Sequence, residues 1–166
     1  MTLELVVDAD DIAGGIAYEH YPRSGCGLVT YLVIAPAMRG RGLGRQLLGD
    51  AAIELHAAGA RAVLGEVNDP RRASPDAAVA AWARLHRFER WGARVVDARY
   101  IQPALGPGLA RDRQLVLIAL AGATPLPDAL PGAVVRAFVD ELYAVTEGGP
   151  PDPETAIGDR ASLLLL

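Results

Sequence analysis

Three arginines and three glycines lie within the seven residues 39–45, between an apolar strand-like run and a stretch with helical periodicity. Arginines crowded at a helix N-terminus are electrostatically unfavourable, because the helix dipole already places positive charge there. An anionic ligand would relieve that conflict. Free backbone N–H groups, the dipole and nearby guanidinium groups together favour a phosphate or pyrophosphate site.

This glycine-rich loop has other interpretations. The glycines could be simple turn residues. A P-loop is excluded, because no Gly-Lys-Ser/Thr follows the strand. A Rossmann dinucleotide site would explain strand, glycines, helix and a later Glu66. However, its glycines should directly follow the strand as G-x-G-x-x-G, whereas four residues intervene here and the glycines fall at 40, 42 and 44.

Glu66 is the first candidate for a general base. It stands in the short apolar run 61–67, which we expect to form a strand covered on both faces. A carboxylate there is costly unless it is paired or functional. The alternative is that it pairs with an arginine or reaches solvent at the strand end.

The hydrophobic pattern predicts the elements that position these residues. Residues 41–58 carry apolar side chains on one helical stripe, and Gly59 suits a left-handed helix end. Ser74 and Pro75 mark the start of a second helix that ends near Gly92. The full order is β-β-α-β-α-β-β-α, with strands at 12–21, 28–35, 61–67, 93–101 and 113–121 and a last helix at 131–146.

Composition limits the function classes. The 166 residues are 51% hydrophobic and 22% charged, which suits one folded domain, and the net charge of −4 argues against a general nucleic-acid binder. All 16 basic residues are arginine, so lysine chemistry is excluded. The single Cys26 excludes an internal disulfide and a cysteine-rich zinc site, and we predict no bound metal. No apolar run reaches the ~20 residues of a membrane span, and we expect a cytoplasmic protein that binds no membrane.

The loop carries a family resemblance. Arg39-Gly40-Arg41-Gly42-Leu43-Gly44 resembles the Arg/Gln-x-x-Gly-x-Gly/Ala motif of the GNAT acyltransferase superfamily. Residues 34–36 supply the usual lead-in, residues 88–96 resemble the end of the family's next helix, and the element order agrees from about 12 to 121. The resemblance implies an α+β fold with a mixed, mostly antiparallel sheet, a central splayed parallel pair and helices on both faces.

The same resemblance implies how a cofactor would bind. The loop would hold the pyrophosphate of coenzyme A, and the pantetheine arm would lie between the splayed strands. A strand N–H near Ile34 would stabilise the oxyanion. Asn68 would contact the pantetheine amide, or it could simply cap the turn. The implied coenzyme A residues are Leu32, Val33, Ile34, Arg39, Gly40, Arg41, Gly42, Leu43, Gly44, Arg45 and Asn68.

The implied activity is transfer of an acetyl group from acetyl-CoA to a primary amine on a small molecule or peptide. Glu66 is the candidate base, and Tyr100, just before the loop where the family places its acceptor, is a candidate proton donor or a packing residue. Two departures weaken this assignment: Phe88 stands where many relatives have tyrosine, and residues 25–34 contain no acidic residue. A noncatalytic acyl-CoA-binding sensor is therefore the alternative.

The ends of the chain complete the prediction. We expect residues 1–122 to form the GNAT-like domain with shortened N-terminal elements, because only about ten residues precede the first predicted strand. Residues 123–166 would form a linker, a helix and a loose tail. The apolar side of that helix should pack on the same domain or on a partner subunit, which makes a homodimer possible.

Overall fold

The computed structural model describes residues 1–9, 11–122, 125–157, 162–164 and 166. A short 3-10 turn, Pro36–Met38, precedes the first α-helix. The strands and α-helices, in chain order, are β1 (Thr2–Asp8), β2 (Asp11–Tyr21), β3 (Cys26–Ile34), α1 (Leu43–Ala57), β4 (Ala62–Asn68), α2 (Pro75–Arg90), β5 (Arg94–Val95), β6 (Leu115–Ala119), β7 (Ala129–Pro131), α3 (Gly132–Thr146) and β8 (Ser162–Leu164).

The main sheet has the strand order β1-β2-β3-β4-β6-β5. β3 and β4 run parallel, joined by the crossover through α1, and the other neighbours in this sheet are antiparallel. Gly25, with a φ of 65°, allows the tight turn between β2 and β3. The expected mixed, mostly antiparallel sheet with a central parallel pair is confirmed. β7 and β8 form a separate two-stranded sheet.

The parallel pair separates along its length. Backbone pairing runs from Cys26–Ala62 to Val29–Gly65 and is not continued toward the ends of the two strands. At that point the β2–β3 register shifts, and the Thr30 hydroxyl donates to the Ala17 carbonyl at 3.0 Å. A bulge bends the strand that contains it. The bend therefore accompanies a gap between the carboxyl-terminal halves of β3 and β4.

Helices cover both faces of the sheet, as expected. On one face, α1 and α2 bury Leu47, Leu55 and Leu85 against strand residues such as Ile16 and Val63. We call this the α1/α2 face. On the other, the α3 face, α3 buries a second group against β3, β4 and β6; Phe138, Leu142, Tyr143, Leu28, Leu64 and Leu117 are among its members.

Two sequence-based expectations about the chain ends are wrong. No strand was predicted before residue 12, but β1 pairs with β2 along its whole length, from Thr2–Tyr18 to Asp8–Asp11. The tail was expected to be loose. Instead β8 pairs with β7, and Leu166 exchanges backbone hydrogen bonds of 3.1 and 2.8 Å with Val95. Residues 158–161 and 165 of the predicted tail lie outside the described residues.

Side-chain charge also anchors the segment after α3. Asp152 is buried and accepts hydrogen bonds from Arg111 at 3.0 Å and from Arg113 at 2.9 Å. Arg111 also donates to Glu147 at 2.6 Å. A carboxylate with two guanidinium partners fixes both chain segments.

The strand predicted over 93–101 is also much shorter in the structure. The N–H of Val96 still donates to the Leu117 carbonyl of β6 at 3.0 Å, but the N–H of Asp97 donates to the Leu164 carbonyl of the carboxyl-terminal segment at 2.9 Å. Arg99 then forms an isolated bridge with Ala156. An apolar run alone does not indicate which neighbouring segment its backbone will form hydrogen bonds with.

Candidate active site

A cleft of about 930 Å³ opens where β3 and β4 separate. This lies within the range of ~300–1,000 Å³ typical of small-ligand sites. The carboxyl-terminal half of β3, the glycine-rich loop, β4 near Glu66 and one side of α2 form its walls. The predicted site residues that line it are Leu32, Val33, Ile34, Arg39, Gly40, Gly42, Leu43, Gly44 and Glu66.

The edge of β3 that faces the cleft offers backbone groups. The N–H of Ala35 donates to Ala13 of β2 at 2.9 Å, so Ala35 faces β2. Because successive residues of a strand direct their backbone groups to opposite edges, those of Ile34 and Leu32 point into the cleft, away from β2. Consistently, the Arg39 guanidinium donates to the Ile34 carbonyl at 3.1 Å. An extended ligand could pair with this edge as an added strand would.

The glycine-rich loop leaves open space beside its backbone. Gly40 and Gly42 have φ values of 81° and 82°, and no heavy atom lies within 4 Å of the position that a Cβ would take at either. Gly42 is the N-cap of α1, and no side chain caps that helix. The first-turn N–H groups of a helix have no intrahelical partners. The loop therefore has the donors and the space that a diphosphate requires.

Gly44 has a different reason to be glycine. It is buried, and a Cβ at this position would lie 3.0 Å from the indole of Trp91 and 3.5 Å from the Ile34 side chain. The small residue lets α1 approach the end of α2 and the floor of the cleft. This glycine is therefore required by packing as well as by any ligand.

The arginines divide into two groups. Arg39 lines the cleft, whereas Arg41 and Arg45 are exposed and are not part of its wall. Sequence reasoning missed the opposite wall, where α2 contributes Arg84, Arg87 and Arg90. Their spacing of three residues, which places side chains on one side of a helix, was the signal available in the sequence. Guanidinium groups thus stand on both sides of the cleft.

Asn68 lies at the end of β4. Its side-chain oxygen accepts a hydrogen bond of 2.7 Å from Arg84, and it is not part of the cleft wall. A direct contact of Asn68 with a ligand amide remains a prediction. In this structure Asn68 orients Arg84, which does line the cleft.

The Glu66 carboxylate is held by neutral partners. Tyr100 donates its hydroxyl to one oxygen, and Gln102 donates its side-chain amide to the other at 2.7 Å. Burial raises the pKa of Glu66, these two hydrogen bonds lower it, and the nearby charge of Asp112 raises it further. The net pKa is above the ordinary value of a glutamate. A raised pKa suits a group that must accept a proton near neutral pH.

Tyr100 is completely buried and is not part of the cleft wall. Burial and the neighbouring Glu66 raise the pKa of its hydroxyl well above the ordinary value, so the hydroxyl keeps its proton. The structure therefore brings the two predicted catalytic residues together, with the tyrosine acting on Glu66.

Gln102 was not singled out from the sequence. Its backbone pairs with Asp112 through hydrogen bonds of 2.9 and 3.1 Å, which close the loop that follows Tyr100. A polar residue two positions after Tyr100 in an extended segment shares its side of the chain. That spacing was the only signal in the sequence.

Neither a cluster of metal-ligating side chains nor a membrane-spanning helix occurs in the part of the chain that the structure describes. Within the described ranges, no three His, Cys, Asp or Glu side chains are grouped so that they could hold a metal ion. In the same part of the chain, no helix combines the length and the apolar character needed to cross a bilayer.

Comparison with known proteins agrees with this geometry. Residues 4–88 match the family model of the acetyltransferase (GNAT) domain, and they make up more than half of the chain. A comparison with curated protein sequences gave no match.

Several solved structures that match this fold are acetyltransferases. Nourseothricin acetyltransferase is 26% identical with a TM-score of 0.50; the match covers 68% of this chain and 59% of that chain, less than two thirds of its length. An acetyltransferase described as a GNAT-family member from Bacteroides thetaiotaomicron is 20% identical in sequence, with a TM-score of 0.60. The match covers 89% of this chain and 73% of that chain. A GNAT-family acetyltransferase from Elizabethkingia anophelis, solved with acetyl-CoA bound, is 16% identical in sequence, with a TM-score of 0.52. The match covers 71% of this chain and 74% of that chain. At these identities the last two show likeness of fold alone.

Proposed function

Because the chain belongs to the GNAT acetyltransferase family, we propose that it transfers an acetyl group from acetyl-CoA to a primary amine. The observation that carries the proposal is the cleft itself, which has the glycine-rich loop at one end and a half-buried Glu66 in its wall. Acetyl-CoA would supply an activated acetyl thioester there. The chain supplies binding, orientation and proton transfer.

The residues present fit coenzyme A. Its diphosphate needs backbone donors beside open space, which Gly40 and Gly42 provide. Its charge needs cations, which Arg39 and the arginines of α2 provide. Its amide-containing arm needs a strand edge beyond the β3–β4 pairing, which Leu32 and Ile34 provide, although the Ile34 carbonyl already accepts a hydrogen bond from Arg39. The same edge places the Ile34 N–H where it could stabilise a developing oxyanion.

Glu66 would remove the proton from the attacking amine. Along β4 its side chain shares the α3 face with Leu64, two residues earlier, whereas the glycine-rich loop leads into α1 on the other face. A cofactor entering from the loop and an acceptor approaching from the α3 face would meet in the gap between the strands. Tyr100 and Gln102 would hold the carboxylate in position without neutralising it.

Phe88 gives the sensor alternative its support. It lines the cleft and packs edge-to-face on Trp91 with ring centroids 5.5 Å apart, and a phenyl ring cannot donate a proton. A protein of this kind could bind acyl-CoA without turnover. In that case Glu66 would be only a half-buried, hydrogen-bonded carboxylate.

We also propose that residues 1–122 form the catalytic domain and that 123–166 form a carboxyl-terminal extension. The packing of α3 against β3, β4 and β6 supports an extension that completes the core of the same domain. The acceptor is proposed to be a small molecule or a peptide with a primary amine.

A thiol-release assay tests the function. The protein is incubated with acetyl-CoA and a panel of primary amines, and free thiol is followed while calorimetry measures coenzyme A binding. The enzyme proposal expects turnover that Glu66→Gln lowers by about 100-fold, the lower range for loss of a general base, with coenzyme A affinity retained. Tight binding without turnover across the panel would favour the sensor. Absence of coenzyme A binding would refute both.

A further inference from the structure

An apolar surface on the α3 face of β1, β2 and β3 is left open to solvent. Six of its large side chains are each 54–63% exposed. The six residues, which we call the apolar face, are Leu3, Leu5, Val7, Ile12, Tyr31 and Val33. A single exposed leucine needs no explanation, but a contiguous group of this kind marks an interaction site.

Strand register shows that these residues are contiguous. Leu3, Ala17 and Tyr31 are paired across the three strands, and so are Leu5, Gly15 and Val33. Cross-strand partners share one face of a sheet, with Cβ atoms about 5 Å apart.

Two further contacts extend the same surface. Leu5 leans across β2, because a Cβ on Gly15 would lie 2.8 Å from its side chain. Val7 pairs with Ile12 at the end of the hairpin. The two cross-strand rows and this terminal pair therefore form one surface.

The carboxyl-terminal helix does not cover this surface. α3 buries Phe138 and Leu142 against β3, β4 and β6, and it reaches β2 at Tyr21, whose ring lies 5.4 Å from that of Phe138. Six large apolar side chains, each more than half exposed, supply a substantial part of the ~800 Å² that each partner of a standard interface buries. The surface is thus large enough to form the centre of a stable interface.

Charges at the two ends of the apolar face are opposite. Asp8 and Asp11 are backbone register partners at the β1–β2 turn, next to Val7 and Ile12 at the end of this surface, and both are exposed. At the other end of β2, Arg23 is 67% exposed and lies 3.6 Å from Glu141 of α3, which places it on the same side of the sheet. A two-fold axis that reverses the strand direction would bring the acidic end of one copy to the Arg23 end of the other, twice.

We propose that a second copy of this chain packs its apolar face against this one in a two-fold symmetric dimer. Two sheets packed face to face bury such rows at a separation of about 10 Å. Tyr31 and Val33 belong to the apolar face and also line the cleft, so the partner would close the acceptor side of the cleft. That last consequence rests on the proposed function, whereas the dimer itself does not.

The mass of the protein in solution tests the proposal. Light scattering or sedimentation over a wide dilution series should show a dimer that dissociates on dilution. Leu5→Glu places a carboxylate at the centre of the interface and should raise the dimer Kd at least ~100-fold. Asp11→Arg should also weaken the dimer, because it sets like charges together.

Ile53→Glu is the matched control, since Ile53 is 55% exposed on α1, outside the apolar face. It should leave the mass unchanged. Circular dichroism and the thermal midpoint should show that both glutamate variants fold like the wild type, as expected for exposed positions.

Two results would overturn the proposal: a wild-type monomer at every concentration, or a dimer that Leu5→Glu and Ile53→Glu affect equally. Coenzyme A calorimetry on the same samples separates this from the proposed function. A monomer that binds coenzyme A refutes the dimer alone, and a dimer that does not bind it refutes the function alone.

Discussion

Tyr100→Phe is the substitution that most sharply tests how Glu66 is held. The tyrosine is completely buried and its hydroxyl donates to the Glu66 carboxylate. Phenylalanine keeps the ring, so core packing is retained, and the variant removes one hydrogen bond to a charged group. Such bonds contribute about 1.5–3 kcal/mol.

The sign of the effect follows from the direction of that bond. Donation from Tyr100 stabilises the charged carboxylate and lowers the pKa of Glu66 against the rise caused by burial. Its removal should therefore raise the pKa of Glu66 further. Because the folded-state pKa lies above that of the unfolded chain, stability falls as pH rises through the folded-state pKa. In the variant this fall should begin at the same pH, because the unfolded chain is unchanged, but it should extend to higher pH and be larger.

Carboxyl ¹³C resonances of Glu66 report the titration directly, without an acceptor, and Glu66→Gln assigns them. Tyr143→Phe is the matched control, because it removes another buried tyrosine hydroxyl, which donates to the Ile101 carbonyl at 2.9 Å. It should cost stability without moving the Glu66 titration. A Tyr100→Phe titration that superimposes on the wild type, or one that Tyr143→Phe reproduces, would refute the account of Glu66.

Three other predictions concern the glycine-rich loop, the arginines of α2 that line the cleft, and Glu141 of α3. Gly42→Val should reduce coenzyme A affinity at least ~100-fold in calorimetry while the far-UV spectrum is kept, because a side chain fills the anion site and strains a φ of 82°; wild-type affinity would contradict the loop assignment. Arg87→Ala should weaken coenzyme A binding about 10-fold at low salt and less at high salt, whereas Arg41→Ala, outside the wall, should have a smaller effect; equal losses would contradict the division of the arginines. For Glu141, burial raises the pKa, but the backbone N–H groups of Ser24 and Arg23 and the Arg23 charge lower it to a net value below the ordinary one. The stability that the charged Glu141 provides should be lost as pH falls through its folded-state pKa. The thermal midpoint of Glu141→Gln should therefore lie below that of the wild type at neutral pH and approach it in acid. A difference between the two midpoints that persists in acid would contradict this account.

Much of the fold was predictable because local pattern and turn chemistry agreed. Gly59 and Gly92, both with positive φ, follow α1 and α2 as expected. β1 was missed although Leu3, Leu5 and Val7 occupy alternate positions, because Val6 interrupts the polar–apolar alternation. In the structure Val6 packs on the α1/α2 face and the other three are exposed. The order at the carboxyl terminus depends on long-range pairs, such as Asp152 with Arg111, that no local pattern encodes.

The candidate site was predictable where backbone geometry fixed it. The glycine-rich loop and β3 line the cleft because their motif dictates a strand, a left-handed turn and a helix start. The partners of Glu66 were harder, since Tyr100 and Gln102 reach it across the sheet from a loop 34 and 36 residues away. The arginines of α2 share one side of a helix by their spacing alone, and only the splay of β3 from β4 shows that they face a cleft.

A crystal structure of the protein grown with acetyl-CoA is the most direct test of the central claim. The account predicts the diphosphate against the N–H groups of residues 40–44, with the pantetheine arm along Leu32 to Ile34 and Arg87 beside the phosphates. A cofactor bound elsewhere, with Gly40 and Gly42 still facing solvent, would contradict it.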